Sequence, residues 1–234
     1  MKYLALKNWR ALLGIEPSAT SHRERLISAL GASISIMIVY AVTDALLGPG
    51  NIVLMAAPIG ATALLLFAAP HSALSQPWPV MGGYAISTAL GVCCALLVPN
   101  QAVASGLAVG LAVAAMYYLR CLHPPGGAMA LLAVIGGEQV HRLGFHFVLV
   151  PAMANVAIIL LVAIAFNALL PWRRYPAVFA RRTPQPLPLA GGYEAISHED
   201  FVYALTQVES FIDVSEDDLL RIYALATGRH PPRT

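Results

Sequence analysis

Between Ala45 and Gly137 the chain carries a single Lys, Arg, Asp or Glu, which is Arg120. A water-soluble domain cannot be built that way, because about 25% of its residues are normally charged and supply its wetted surface. Here the charged share of the whole chain is 11% and the hydrophobic share 58%. A bilayer is the solvent that accepts such a stretch.

Apolar segments fall at 26–47, 51–69, 78–98, 102–120, 124–136 and 147–170. About 20 apolar residues cross the hydrocarbon core as a helix, so the first, third, fourth and sixth are predicted spans. The second and fifth are different, because proline and glycine interrupt each of them near its start. They read "APIGATALLLF" from Ala57 and "HPPGGAMALLAV" from His123. A shift of 67 residues superimposes Pro58 on Pro125, Gly60 on Gly127, Ala61 on Ala128 and Leu64 on Leu131. The expected fold is therefore an all-α membrane protein. It is built from two repeats of helix, broken helix, helix, with six membrane segments of which two are Pro/Gly-interrupted or re-entrant. Six crossings and four both satisfy the sequence, and six is preferred.

Basic residues cluster before the first span (Lys2, Lys7, Arg10, Arg23, Arg25) and after the last (Arg173, Arg174, Arg181, Arg182). The positive-inside tendency then places both termini in the cytoplasm of a multi-pass protein of the inner (plasma) membrane. Residues 1–25 are predicted as a cytoplasmic or interfacial segment and 26–172 as the transmembrane domain. A basic, Pro-rich linker follows at 173–190. Residues 191–234, with "SHED" and "SEDD" as helix-start signals, are predicted as a cytoplasmic helical hairpin that packs on a partner protein, a second subunit or the membrane domain.

Paired interrupted segments in two halves are the strongest sequence pointer to a transporter's binding site. A proline at a helix start gives up an amide proton that has no partner anyway, and the following amides point out of the positive helix end. The reading therefore places free amides at Gly60–Thr62 and at Gly126–Ala128, converging as an anion cradle. Arg120 adds the one fixed charge. A charged side chain costs roughly 3 kcal/mol at the bilayer centre, so it faces a pathway or else reaches back to the lipid phosphates. His123 could donate to an anion or take up a proton, or merely cap its turn. Thr62 offers a hydroxyl to the ligand or to its own helix. The candidate substrate-binding residues are Pro58, Gly60, Ala61, Thr62, Arg120, His123, Pro125, Gly126, Gly127 and Ala128.

Other features have plainer readings. Cys93, Cys94 and Cys121 lack metal-type spacing and read as packing residues. Asn155 and Asn167 lie in the last apolar run, where hydrogen bonding between helices is the default. The stripes Gly83–Ser87–Gly91 and Gly106–Gly110 mark close helix packing, within or between subunits, and make a homo-oligomer plausible. His141, Arg142 and His146 read as a solvated loop. No Gly-x-Ser-x-Gly, His-Glu-x-x-His or intramembrane carboxylate pair occurs, so no enzyme, no cofactor and no metal site are expected. Nothing points to nucleic acid.

The stretches "LHPPGGAMALLAVIG", "APIGATALLLFAAPHSALSQPW", "GGYAISTALGV" and "NALLPWRRYP", in this order over roughly residues 23–176, resemble the HPP family of integral membrane proteins. That family includes plastid and cyanobacterial proteins implicated in nitrite transport. The resemblance implies a transporter or channel for a small monovalent anion, nitrite first, with Arg120, His123, Pro124, Pro125, Gly126 and Gly127 as its signature. It also shows departures: Met129 stands where the pattern has Thr, and Tyr84 where His or Asn is common. The tail resembles the connector that leads into CBS domains in longer relatives. It motivates the alternative function, a membrane sensor or scaffold signalling through that tail.

Overall fold

The computed structural model describes residues 20–48 and 57–180, together with Leu13, Leu219 and Tyr223. The expected interfacial segment before Thr20, the linker beyond Ala180 and the tail hairpin otherwise lie outside the described residues, as does the stretch 49–56.

All regular structure among the described residues is helical. Helix α1 (His22–Leu47) begins four residues before the apolar run, because Ser21 caps it by accepting from the Glu24 amide at 3.2 Å. It stops at Gly48, whose φ of 79° only glycine takes without cost. Helix α2 (Ala57–Ala68) is short, and a 3-10 turn (Ala73–Ser75) separates it from α3 (Pro77–Leu97). Pro77 opens α3, where its missing N–H is not needed. Asn100 caps α4 (Gln101–Tyr118) through the Val103 amide at 3.1 Å.

The end of α4 is a Schellman turn. The Cys121 amide bonds to the Met116 carbonyl (2.9 Å) and the Arg120 amide to the Tyr117 carbonyl (3.2 Å). Arg120 occupies the left-handed position with φ 54°, where glycine is usual. Helices α5 (Pro124–Ile135) and α6 (Gly137–Leu143) follow. A π-helical turn (Val148–Met153), widened around the internal Pro151, then leads into α7 (Ala154–Ala168).

Among the described residues, four helical stretches are long and apolar enough to cross a membrane: His22–Leu46, Pro77–Leu97, Gln101–Tyr118 and Val148–Ala168. They are the four spans the sequence predicted. The two interrupted segments are the short apolar helices α2 and α5, of 12 residues each. Their outward neighbours keep large aliphatic side chains exposed, such as Leu30, Met37, Leu107, Leu111 and Leu161. Lipid would normally cover such a surface.

The short helices run towards opposite ends of the assembly. The last turn of α2 meets residues that lie just before α3 and just after α7. The last turn of α5 meets the start of α4, where Gln101 Nε2 donates to the Val134 carbonyl. Helix α3 is the packing centre, and it presents its glycine stripe to α5. A methyl group on Gly83 would lie 2.8 Å from the His123 β-carbon. The cysteines are free: Cys94 and Cys121 are buried packing residues and Cys93 is half-buried. Gly106 and Gly110, by contrast, face open space on α4.

The C-terminal end of α2 is finished by other parts of the chain. Its terminal carbonyls have no partners within the helix. Ser75 Oγ donates to the Leu65 carbonyl at 3.2 Å, and Asn167 Nδ2 to the Leu66 carbonyl at 3.4 Å. The Arg173 guanidinium donates to the Phe67 carbonyl. Arg173 is buried, and it also donates to Asn167 Oδ1, Ser28 Oγ and the Glu24 carboxylate. A cation at this end is favourable for the helix dipole as well as for the unpaired carbonyls. Arg173 therefore ties α1, α2 and α7 together, a role beyond the basic flank predicted for it.

Candidate functional site

The side chain of Thr62, in the second turn of α2, meets that of His123, the residue preceding α5, and that of Tyr84 on α3. All three are fully buried. Thr62 Oγ1 lies 2.8 Å from the Tyr84 hydroxyl and 3.0 Å from His123 Nε2. The other imidazole nitrogen, Nδ1, sits 2.8 Å from the Leu74 carbonyl. The Tyr84 and His123 rings pack at 5.6 Å between centroids.

Hydrogen-bond accounting assigns the protons. A backbone carbonyl only accepts, so Nδ1 carries a hydrogen and donates to Leu74. In the neutral ring Nε2 is then an acceptor. Thr62 donates its one proton to Nε2, and the Tyr84 hydroxyl donates to Thr62. If the ring takes a second proton, the chain reverses: Nε2–H donates to Thr62, and Thr62 turns its proton to Tyr84 or to the Pro58 carbonyl at 3.3 Å. The same three side chains thus form one connected path with two hydrogen-bond polarities. An anion placed among them would find a hydroxyl from Thr62, a hydroxyl from Tyr84 and the positive end of α5 beside His123.

The expected cradle of free amides is not what the structure contains. Pro124 and Pro125 have no N–H, and the Gly126 amide bonds to the His123 carbonyl at 2.8 Å. In α2 the helix starts at Ala57, so the amides of Gly60–Thr62 already lie inside its ladder. Hydroxyls and an imidazole take the place that the sequence reading gave to backbone donors.

The candidate residues separate by face. Pro58, Thr62, His123, Pro125 and Gly126 are buried, with Thr62 and His123 meeting each other and Gly126 facing Gly83 on α3. Gly60 and Ala61 are exposed on the far side of α2. Gly127 and Ala128 line an apolar groove of about 390 Å³ between α4 and α5, together with Val113 and Leu131. Arg120 is exposed at its turn, and its side chain makes no hydrogen bond among the described residues. It stands apart from the His123 group.

Sequence reasoning noted Tyr84 only as a departure from a pattern. A signal was available, because a tyrosine between Gly83 and Ser87 sits on the packing stripe of α3 and needs a partner for its hydroxyl. The Leu74 carbonyl gave no signal at all. The two asparagines of the last apolar run bond between helices, as expected: Asn155 Oδ1 accepts from Thr43 at 2.6 Å, and Asn167 bridges α2 and Arg173. His141 and Arg142 fall on the short helix α6, not in a loop, and Arg142 pairs with Glu138 there. Among the described residues, no group of His, Cys, Asp or Glu could hold a metal.

The family model "HPP, transmembrane region" matches residues 17–176. Two transmembrane proteins of Dictyostelium discoideum are similar to the chain. One is 39% identical over 120 residues, covering 50% of this chain and 38% of the relative. The other is 40% identical over 120 residues, covering 50% and 42%. The match thus spans less than half the length of either relative. No solved structure matches the chain. The apolar spans and the family model agree: this is a membrane protein and belongs to the HPP transmembrane-region family.

Proposed function

We propose that this membrane protein is a transporter or channel for a small monovalent anion, with nitrite, which the family resemblance implies, as the first ion to try. The observation that carries the reading is the buried Tyr84–Thr62–His123 chain at the meeting of the two short helices. Polar side chains sealed inside a membrane domain are costly unless they serve one another or a passing solute. Here they are all hydrogen-bonding groups without fixed charge. They suit a weakly hydrated anion that must enter and leave. The closed burial of the three matches an occluded stage of an alternating-access cycle.

In this reading α2 and α5 are the broken elements of two inverted repeats, and their opposite directions and equal lengths support it. Both termini lie in the cytoplasm, and the membrane is the inner one. The open Gly106–Gly110 face of α4 is where a second subunit packs, and the tail is where a cytoplasmic partner does. Arg120 acts at the approach to the site and not within it.

Uptake of nitrite into proteoliposomes of the purified chain, with an imposed proton gradient and with chloride or nitrate as competitors, tests the reading. Saturable uptake that is lost in Thr62→Val and in His123→Gln supports it. Absence of flux for every small anion, from protein that remains folded, rejects it.

A further inference from the structure

The carbonyl that fixes the imidazole belongs to a connection held from outside the helix bundle. Leu74 lies in the 3-10 turn between α2 and α3, and the chain that leaves α7 grips that turn on its C-terminal flank. The Tyr175 hydroxyl, itself buried, donates to the Ser75 carbonyl at 2.7 Å. The Ala177 amide donates to Gln76 Oε1 at 2.9 Å. Gln76 Nε2 in turn donates to the carbonyls of Pro70 and Ser72 at 3.1 and 2.9 Å, which closes the connection on itself. Further back, the Arg174 carbonyl meets His71 Nε2 at 3.1 Å. The peptide next to the Leu74 carbonyl is therefore held by Tyr175.

We propose that Tyr175 is a positioning residue for His123: by holding the Ser75 peptide it aims the Leu74 carbonyl at Nδ1, keeps the proton there, and so leaves Nε2 facing Thr62. The segment leaving the membrane domain thereby sets which nitrogen of His123 the site presents. The orientation of a histidine through the hydrogen bond at its other nitrogen is a general device. The groups that face His123 are Thr62 at Nε2, the Leu74 carbonyl at Nδ1 and the ring of Tyr84, whose hydroxyl bonds to Thr62. None of them carries a fixed charge. The consequence for flux rests on the transport reading above; the consequence for the imidazole does not.

The test is nuclear magnetic resonance of the full chain with nitrogen-labelled histidine, in detergent at neutral pH. The His123 signals are identified by their loss in His123→Gln. Wild-type protein should show one tautomer, protonated at Nδ1. Tyr175→Phe keeps the ring and removes only the hydroxyl, and it should turn the His123 signals into those of a tautomer mixture, with the melting temperature close to wild type. The exposed Tyr117→Phe should change nothing. If Tyr175→Phe does not fold, Gln76→Ala, which removes the acceptor for Ala177, should give the same mixture. A His123 tautomer that is unchanged in a folded variant overturns the proposal. So does a wild-type ring protonated at Nε2. No substrate is present, so a chain that moves no anion would end the transport reading and leave this result standing.

Discussion

Gly126 faces Gly83 so closely that a β-carbon on Gly126 would lie 2.6 Å from the Gly83 carbonyl oxygen. Helices α3 and α5 approach at that point backbone to backbone, and the obstacle is a carbonyl and not a side chain that could swing away. Gly126→Ala should therefore force the helices apart, at a cost of about 1–3 kcal/mol. Gly127 has open space at the same position, so Gly127→Ala should be near neutral. Thermal unfolding of the two variants in one detergent checks the contrast.

Thr62 serves two side chains at once. In Thr62→Val the Tyr84 hydroxyl and His123 Nε2 both lose their partner inside the protein. An unsatisfied buried group costs about 1–3 kcal/mol. Tyr84→Phe removes one member from the end of the chain and should cost clearly less. Chemical denaturation that ranks Tyr84→Phe as the more damaging of the two would contradict the connectivity described.

Arg120 holds a backbone conformation that disfavours any side chain, by about 1–2 kcal/mol. Arg120→Gly should raise the melting temperature, whereas Arg120→Ala should not. Both remove the charge. Equal loss of anion flux in the two would attribute the loss to the charge, and loss in only one would attribute it to the turn.

Arg173 is a buried charge with four acceptors, Glu24, Ser28, Phe67 and Asn167, and the Glu24 carboxylate it holds in place also accepts from the Trp172 indole. Arg173→Met should destabilise strongly, by about 3–5 kcal/mol, because Glu24 and the Phe67 carbonyl lose their partner. Arg173→Lys should rescue little, since an ammonium cannot reproduce the planar fork. Yield of monodisperse protein, followed by thermal unfolding, is the measurement.

The long helices were legible in the sequence because hydrophobic length alone defines them, and their limits were wrong only where caps decide. Ser21 moved the start of α1, and the turn at Arg120 ended α4 early. The prolines and glycines located the short helices correctly, since their backbone chemistry is local. Which face each glycine would show was not local. Gly60 and Gly127 turned outward and Gly126 inward, and no spacing within α2 or α5 distinguishes them. The pairing of Thr62 with His123 depends on how two segments cross. The Leu74 carbonyl depends on a turn that any residue could make. Arg173 looked like one of several basic residues flanking a span, and only the folded chain brings it to the Phe67 carbonyl and the Glu24 carboxylate that give it its task.

Those carbonyls also order the making of the protein. The partners of Leu66 and Phe67 lie 101 and 106 residues further along the chain. At synthesis rates of about 5–20 residues per second, α2 therefore leaves the ribosome roughly 5–20 s before its C-terminal end can be completed. During that interval a helix with bare carbonyls must wait at the insertion machinery or at the membrane surface, because hydrocarbon offers them nothing. The first half of the domain is then finished by the last few residues of the second, and a chain truncated before Arg173 should be recognised by membrane quality control as unfinished at α2.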